Sequence, residues 1–115
     1  MVICLTGATV KPGMEIEEGR VSSQIAATLR SSTGFVAVKT YRSDDGEVIT
    51  VIRFKTDEDL TSWRDTGLHG EYEGLVGDLY ESFWVQTATV HREYEWRDGE
   101  RIEGSESWAF GKTTG

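Results

Sequence analysis

The sequence is short of several residue types that would mark a class of protein. Its 115 residues include no asparagine, one cysteine and one proline. Cys4 therefore has no partner for an intramolecular disulfide, and no Cys/His spacing typical of a zinc site occurs. With 37% hydrophobic and 28% charged residues, the composition is that of a globular chain, and the length suits one domain rather than two.

Basic residues are also scarce. Lys and Arg number 12 against 20 Asp and Glu, a formal net charge of −8. A nucleic-acid binder needs a basic surface to neutralise phosphates, and an anionic membrane surface attracts basic proteins. The opening stretch MVICLTGATV has no basic n-region and is too short for a signal peptide's apolar segment or a membrane span. We therefore expect a cytoplasmic protein with neither a nucleic-acid nor a membrane partner.

The first third of the chain predicts a strand followed by a helix. Residues 1–10 are β-branched and apolar and end at a turn signal, residues 11–13. Three glutamates within residues 15–18 suit a helix N-terminus, and the Ser-Thr-Gly run at residues 32–34 ends the helix. The apolar stripe of this helix consists of Val21, Ile25 and Leu29.

Two further strands follow as a hairpin. Residues 35–41 (FVAVKTY) and 48–54 (VITVIRF) are rich in β-branched and aromatic side chains. Asp45-Gly46 lies between them, and an Asp-Gly pair between two such runs is the strongest short-range hairpin signal.

A second helix and a last strand complete the order of elements. Thr56 can cap the helix, with Asp59 three residues on as a shortened capping box, and Leu60 and Trp63 form its apolar side. Residues 83–94 (FWVQTATVHREY) predict a long last strand. The resulting order, β-α-β-β-α-β, predicts a ferredoxin-like α+β domain.

Both alternating faces of the two middle strands are apolar. Two helices can cover only one face of a four-stranded sheet, so the other face must be buried by something else. A second copy of the same sheet is the simplest candidate, and we therefore expect a homodimer, an α+β barrel formed by sheet-on-sheet packing.

The end of the chain differs in composition from the rest. Residues 95–106 are rich in charge, and the last residues are rich in glycine and threonine. We expect a domain over residues 1–96 and a tail over 97–115 that is partly ordered or docks on the dimer through Trp108 and Phe110.

The stretch LTSWRDTGLHGEYEGLVGDLYESFWVQTATVHREYEW (residues 60–96) resembles the second helix and last strand of the antibiotic-biosynthesis-monooxygenase-like family. The shared features are an acidic helix start, Leu60 and Trp63, then His69, then Tyr80-x-x-Phe83. A glycine before Phe35 and the Asp-Gly hairpin also agree. The resemblance covers about residues 1–96 and implies the same dimeric α+β barrel.

The resemblance also implies an activity. Some members of the family oxidise phenolic polyketides to quinones with molecular oxygen, without metal or flavin. It therefore implies a cofactor-independent monooxygenase-like enzyme that acts on a small aromatic or polyketide-type substrate in a pocket between helices and sheet. Haem binding, ligand binding without catalysis, and a cyclase or isomerase on the same barrel are the alternatives.

Three residues are the candidate catalytic group. A neutral His69 could take a phenolic proton, with Glu73 orienting it and Tyr72 assisting. Trp63 could stack on a planar substrate. The alternatives are a surface position for His69 and ordinary core packing for Trp63. The remaining candidates for the substrate pocket are Thr6, Phe35, Tyr41, Phe54, Tyr80 and Phe83.

Haem-degrading relatives provide a contrast. They carry an asparagine on the first strand, where this chain has Thr6, and no asparagine exists to replace it. His69 also lies about one helical turn too close to Trp63, a displacement of roughly 5 Å. These departures argue against haem degradation, so we expect no cofactor. Haem binding through an axial histidine at a different position along the helix is the alternative.

Overall fold

A computed structural model of the chain describes residues 1–66, 70 and 73–103. Its elements, in chain order, are β1 (Val2–Val10), α1 (Glu15–Arg30), β2 (Phe35–Arg42), β3 (Val48–Phe54), α2 (Asp57–Arg64), α3 (Val76–Leu79), β4 (Tyr80–Thr89), β5 (Tyr94–Arg97) and β6 (Glu100–Glu103). The first four strands pair antiparallel in the order β2-β3-β1-β4, and β5 and β6 form a separate two-stranded sheet. The predicted ferredoxin-like α+β fold is confirmed.

The core lies on the face of the sheet that the helices cover. Strand pairing aligns alternate residues of β1 with those of β3 and β4, so Val2 and Cys4 share a face with Ile52 and Phe54. These four side chains are buried together with Leu29 of α1 and with Leu60 and Trp63 of α2. The stripes read from the sequence therefore face the sheet, as their helical spacing requires.

The opposite face of the sheet, here called the outer face, is also apolar. The intervening residues occupy it, among them Ile3, Leu5, Ile49, Val51 and Trp84. Each of these side chains is only partly buried. The helices of the described chain all pack on the other side. At the Ile3 and Arg53 end of the outer face, residues 90–94 lie against the sheet.

A helix cap and two glycine turns connect the elements of the fold. The Thr56 hydroxyl accepts a hydrogen bond from the Asp59 backbone N–H at 3.1 Å, which confirms the predicted cap of α2. Gly46 has φ +89° in the β2–β3 turn, a left-handed conformation that glycine adopts without strain. Gly34 has φ +78° at the turn into β2. The Asp59 carboxylate occupies the place where a Cβ atom of residue 34 would lie.

The second half of the chain differs from the sequence prediction in its boundaries. β4 begins at Tyr80 rather than at residue 83 and ends at Thr89 rather than at residue 94. The register with β1 shifts between Thr9 and Val10, which pair with Ser82 and Tyr80, so Glu81 of β4 is the extra residue of a bulge. The boundary expected after residue 96 falls inside the β5–β6 hairpin, and Trp108 and Phe110 lie outside the described residues.

Candidate functional site

A cavity of about 430 Å³ lies between the helices and the covered face of the sheet. Cys4, Thr6, Ile52, Phe83, Val85 and Thr87 form its floor. The walls are formed by Val21 and Ile25 of α1, by Trp63 and Arg64 of α2, and by Glu73, Val76, Leu79 and Tyr80. Cavities of roughly 300–1,000 Å³ with mainly apolar walls and a few polar groups are typical sites for small organic molecules.

Trp63 is an aromatic side chain of the cavity wall that is held by contacts on both α1 and the sheet. It lies on the apolar side of α2 and is only 6% exposed. Its indole N–H donates to the Thr28 hydroxyl at 3.2 Å, and that hydroxyl donates to the Ile25 carbonyl at 2.7 Å. The Phe54 ring packs beneath it, with 6.1 Å between the ring centroids. These contacts hold one orientation of a large flat ring at the cavity.

Tyr80 lines the cavity and is hydrogen-bonded to α1. Its hydroxyl donates to Glu18 Oε2 at 2.8 Å, and the Ser22 hydroxyl donates to the same oxygen at 2.6 Å. Burial, and then the neighbouring Glu18 carboxylate, raise the pKa of Tyr80. The phenol is therefore kept protonated, which makes Tyr80 a hydrogen-bond donor and a poor base.

Cys4 lies on the cavity floor and is 3% exposed. Burial raises the pKa of its thiol, whereas the hydrogen bond with Thr87 and the positive charge of Arg64 act in the opposite direction. A thiol with a raised pKa has little thiolate at neutral pH and is a weak nucleophile. Cys4 therefore serves as a small buried lining group.

Four of the residues predicted from the sequence meet at the cavity. Thr6, Trp63, Tyr80 and Phe83 line it together. Tyr80 and Phe83 also pack on each other, with 5.2 Å between ring centroids. Thr6 lies on the cavity floor, on the same face of β1 as Cys4.

The other predicted residues lie elsewhere. Phe54 is fully buried beneath Trp63, and Phe35 packs edge-on against it at 6.0 Å between ring centroids, so both belong to the core beside the cavity. Tyr41 pairs with Ile49 and therefore lies on the outer face, where it is 53% exposed. His69 and Tyr72 lie outside the described residues.

Two charged residues of the site were not predicted as such from the sequence. Arg64 lines the cavity, and Glu73, considered only as an orienting group, lines it too. Glu18, which holds the Tyr80 hydroxyl, was read only as a favourable charge at a helix start. Arg64 directly follows Trp63 on a short helix, and that adjacency was the available signal for it.

The described residues hold no group of three or more His, Cys, Asp or Glu side chains arranged for one metal ion. Within the same residues, no helix is long and apolar enough to cross a membrane.

Similarity to known proteins is found in structure and not in sequence. No protein-family model matches the chain, and no curated protein matches it significantly. The structure of Rv0793 from Mycobacterium tuberculosis superposes with a TM-score of 0.72 at 19% identity, over 80% of this chain and 96% of that one.

Two further structures connect the fold to oxygenases. A single-residue variant of SnoaB, a cofactor-independent oxygenase from Streptomyces nogalater, has a TM-score of 0.70 at 16% identity, over 80% of this chain and 94% of that one. A protein from Nitrosomonas europaea, provisionally described as an antibiotic biosynthesis monooxygenase, has a TM-score of 0.67 at 15% identity, over 79% and 99%. The resemblance seen in the sequence is confirmed for the fold: this chain shares the fold of proteins described as antibiotic biosynthesis monooxygenases.

Proposed function

We propose that the chain is a cofactor-independent monooxygenase of the antibiotic biosynthesis type that oxidises a small aromatic or polyketide-type substrate in the cavity. The observation that carries this proposal is the indole of Trp63, fixed by Thr28 and Phe54 in the wall of a largely apolar cavity of about 430 Å³. A flat, immobile ring favours stacking with a planar substrate. The shared fold with SnoaB supports the same assignment.

The reaction class is oxidation of an activated methylene group to a carbonyl by molecular oxygen. A base removes a proton from the phenolic substrate, and the resulting anion is electron-rich enough to reduce oxygen itself. The methylene loses two hydrogens and gains one oxygen atom, and the second oxygen atom leaves as water. The substrate supplies all the electrons, so the balance needs no flavin or metal.

Each residue has a separate role in this proposal. His69 is the base and Tyr72 assists it, on the grounds of the resemblance. Trp63 stacks on the substrate, and Tyr80, whose hydroxyl donates to Glu18, limits the space on one side of the cavity. Because its pKa is raised, the Tyr80 phenol stays protonated and cannot accept the substrate proton in place of His69.

Oxygen uptake by the purified protein with a panel of anthrone-like phenols tests the proposal. We expect consumption of one oxygen molecule per molecule of carbonyl product, and loss of turnover in His69→Ala. His91→Ala is the matched control, because His91 is exposed and lies outside the cavity. If His69→Ala turns over as fast as the wild type, His69 is not the base.

We also propose that the protein is a homodimer that pairs two outer faces. The partly buried side chains of Leu5, Val51 and Trp84 lie on this face, which the helices do not cover. Contiguous apolar surface of this kind is unusual on a monomer. Light scattering that gives the mass of one chain at micromolar concentration contradicts the proposal.

Ligand binding without turnover is the second candidate function. It is favoured by the raised pKa values of Tyr80 and Cys4 in the cavity lining, because neither side chain is a base or a strong nucleophile at neutral pH. Binding of a phenol without oxygen uptake or product formation identifies this case. Product formation without oxygen uptake identifies a cyclase or isomerase. A Soret shift that saturates at one haem per chain identifies a haem-binding protein.

The acidic, cysteine-poor composition supports a cytoplasmic location as part of the same proposal. Fractionation of the source cells that recovers the protein outside the cytoplasm contradicts it.

A further inference from the structure

The described lining of the cavity contains two charged residues, Arg64 and Glu73. Both side chains are exposed, so they lie where the cavity opens to solvent. The floor beneath them is apolar or neutral. A ligand in the cavity therefore meets uncharged groups along most of its surface and charge at one end.

Arg64 is suited to binding an anionic group at that end. It is the last residue of α2, next to Trp63, and the position of the helix is fixed by the buried Leu60 and Trp63. A guanidinium presents a planar fork of N–H donors that matches the two oxygens of a carboxylate. Its field also extends into the cavity, because the positive charge of Arg64 acts on the thiol of Cys4 on the floor.

We propose that the substrate is a planar aromatic acid whose ring system lies against Trp63 and whose carboxylate binds Arg64. This inference rests on the proposed function for its substrate and specifies the chemistry of that substrate. Arg64 is then a specificity-determining residue rather than a base. Glu73 acts in the opposite direction, because its negative charge at the same opening repels a carboxylate.

Calorimetric titration with two matched probes separates the charge from the ring system. Anthracene-9-carboxylate carries the anionic group, and 9-anthracenemethanol is its neutral counterpart with the same three rings. We expect the full-length protein to prefer the carboxylate. Arg64→Gln should weaken carboxylate binding about tenfold and leave the alcohol unchanged. Arg64→Lys should retain part of the preference.

Two further variants provide controls for the sign and for the position of the charge. Glu73→Gln should strengthen carboxylate binding by roughly threefold, since it removes a repulsive charge. Arg30→Gln should change nothing, because Arg30 ends α1 as Arg64 ends α2 and does not line the cavity. Equal unfolding midpoints for all variants show that the affinities compare folded proteins.

The outcomes distinguish this inference from the proposed oxygenase. Loss of the carboxylate preference in Arg64→Gln supports the inference even where no phenol is oxidised. Equal affinity of wild type and Arg64→Gln for the carboxylate overturns it, even where oxygen uptake supports the oxygenase. Preference of the wild type for the alcohol, or binding of neither probe, also overturns it.

Discussion

Gly7 is the position at which adding one methyl group has the most direct structural consequence. Trp84 of β4 lies across Gly7 on the outer face, and a Cβ atom there would overlap Cε2, Nε1 and Cζ2 of the indole. The indole N–H also donates to Glu47 Oε2 at 3.0 Å, so the ring cannot move aside without loss of that bond. We therefore expect Gly7→Ala to destabilise the protein.

The magnitude follows from three contributions. Forcing extra volume against a packed ring costs about 1–3 kcal/mol, and loss of the bond to Glu47 adds about 1 kcal/mol. Alanine is better than glycine within a strand by about 0.5–1 kcal/mol, which offsets part of the loss. The free energy of unfolding should fall by roughly 1–3.5 kcal/mol.

A double-mutant cycle with Trp84→Ala tests this account. In the Trp84→Ala background the overlap is gone, so Gly7→Ala should be neutral or stabilising, and the coupling energy should be about 2 kcal/mol. The assay is urea unfolding followed by circular dichroism at one protein concentration, because both residues lie on the proposed dimer face. A coupling energy below about 0.5 kcal/mol refutes the reasoning, since Trp84 would then not be what restricts residue 7.

Three other substitutions test the site and the turn. Trp63→Phe should lower the free energy of unfolding by about 1–2 kcal/mol, because the hydrogen bond to α1 is lost and a smaller ring remains; unchanged urea stability together with unchanged affinity for 9-anthracenemethanol contradicts the packing described for this residue. The raised pKa of Tyr80 makes wild-type stability fall as pH rises above about 10, where the unfolded chain loses the phenolic proton that the folded chain retains. Tyr80→Phe should show a shallower decline in alkaline thermal melts, and an identical decline argues against the effect. Gly34→Ala should cost about 1–3 kcal/mol, because φ is +78° and the new Cβ would overlap the Asp59 carboxylate. Gly19→Ala, within α1 and with nothing within 4 Å of its Cβ, is the matched control and should stabilise by about 0.5–1 kcal/mol in the same melts; equal effects of the two substitutions contradict the role of backbone strain at Gly34.

Elements carried by local signals were predictable from the sequence. β3 has the predicted bounds, and the Asp45-Gly46 turn and the Thr56 cap are in place because each depends on residues within a few positions of each other. The same dipeptide signal recurs at Asp98-Gly99, where both residues have positive φ and join β5 to β6. There the surrounding charge suggested a tail, and the hairpin was not predicted.

The composition of the site was only partly predictable, because it depends on long-range packing. The bond between Tyr80 and Glu18 joins residues 62 positions apart in the chain, and no local pattern indicates such a pair. Tyr41 was assigned to the pocket by residue type, whereas the strand register determines its face. Trp63 was found because helical spacing and family resemblance both pointed to the same side chain.

The burial of Cys4 has a practical consequence. It is the only cysteine in the chain, so any alkylation of a thiol reports on one atom at the floor of the cavity. A protonated, shielded thiol should react slowly with iodoacetamide, and a molecule occupying the cavity should slow the reaction further. Mass spectrometry of the labelled chain can therefore rank candidate ligands by protection, without knowledge of the reaction they undergo. If phenols that bind in calorimetry do not slow the alkylation of Cys4, they bind outside the cavity.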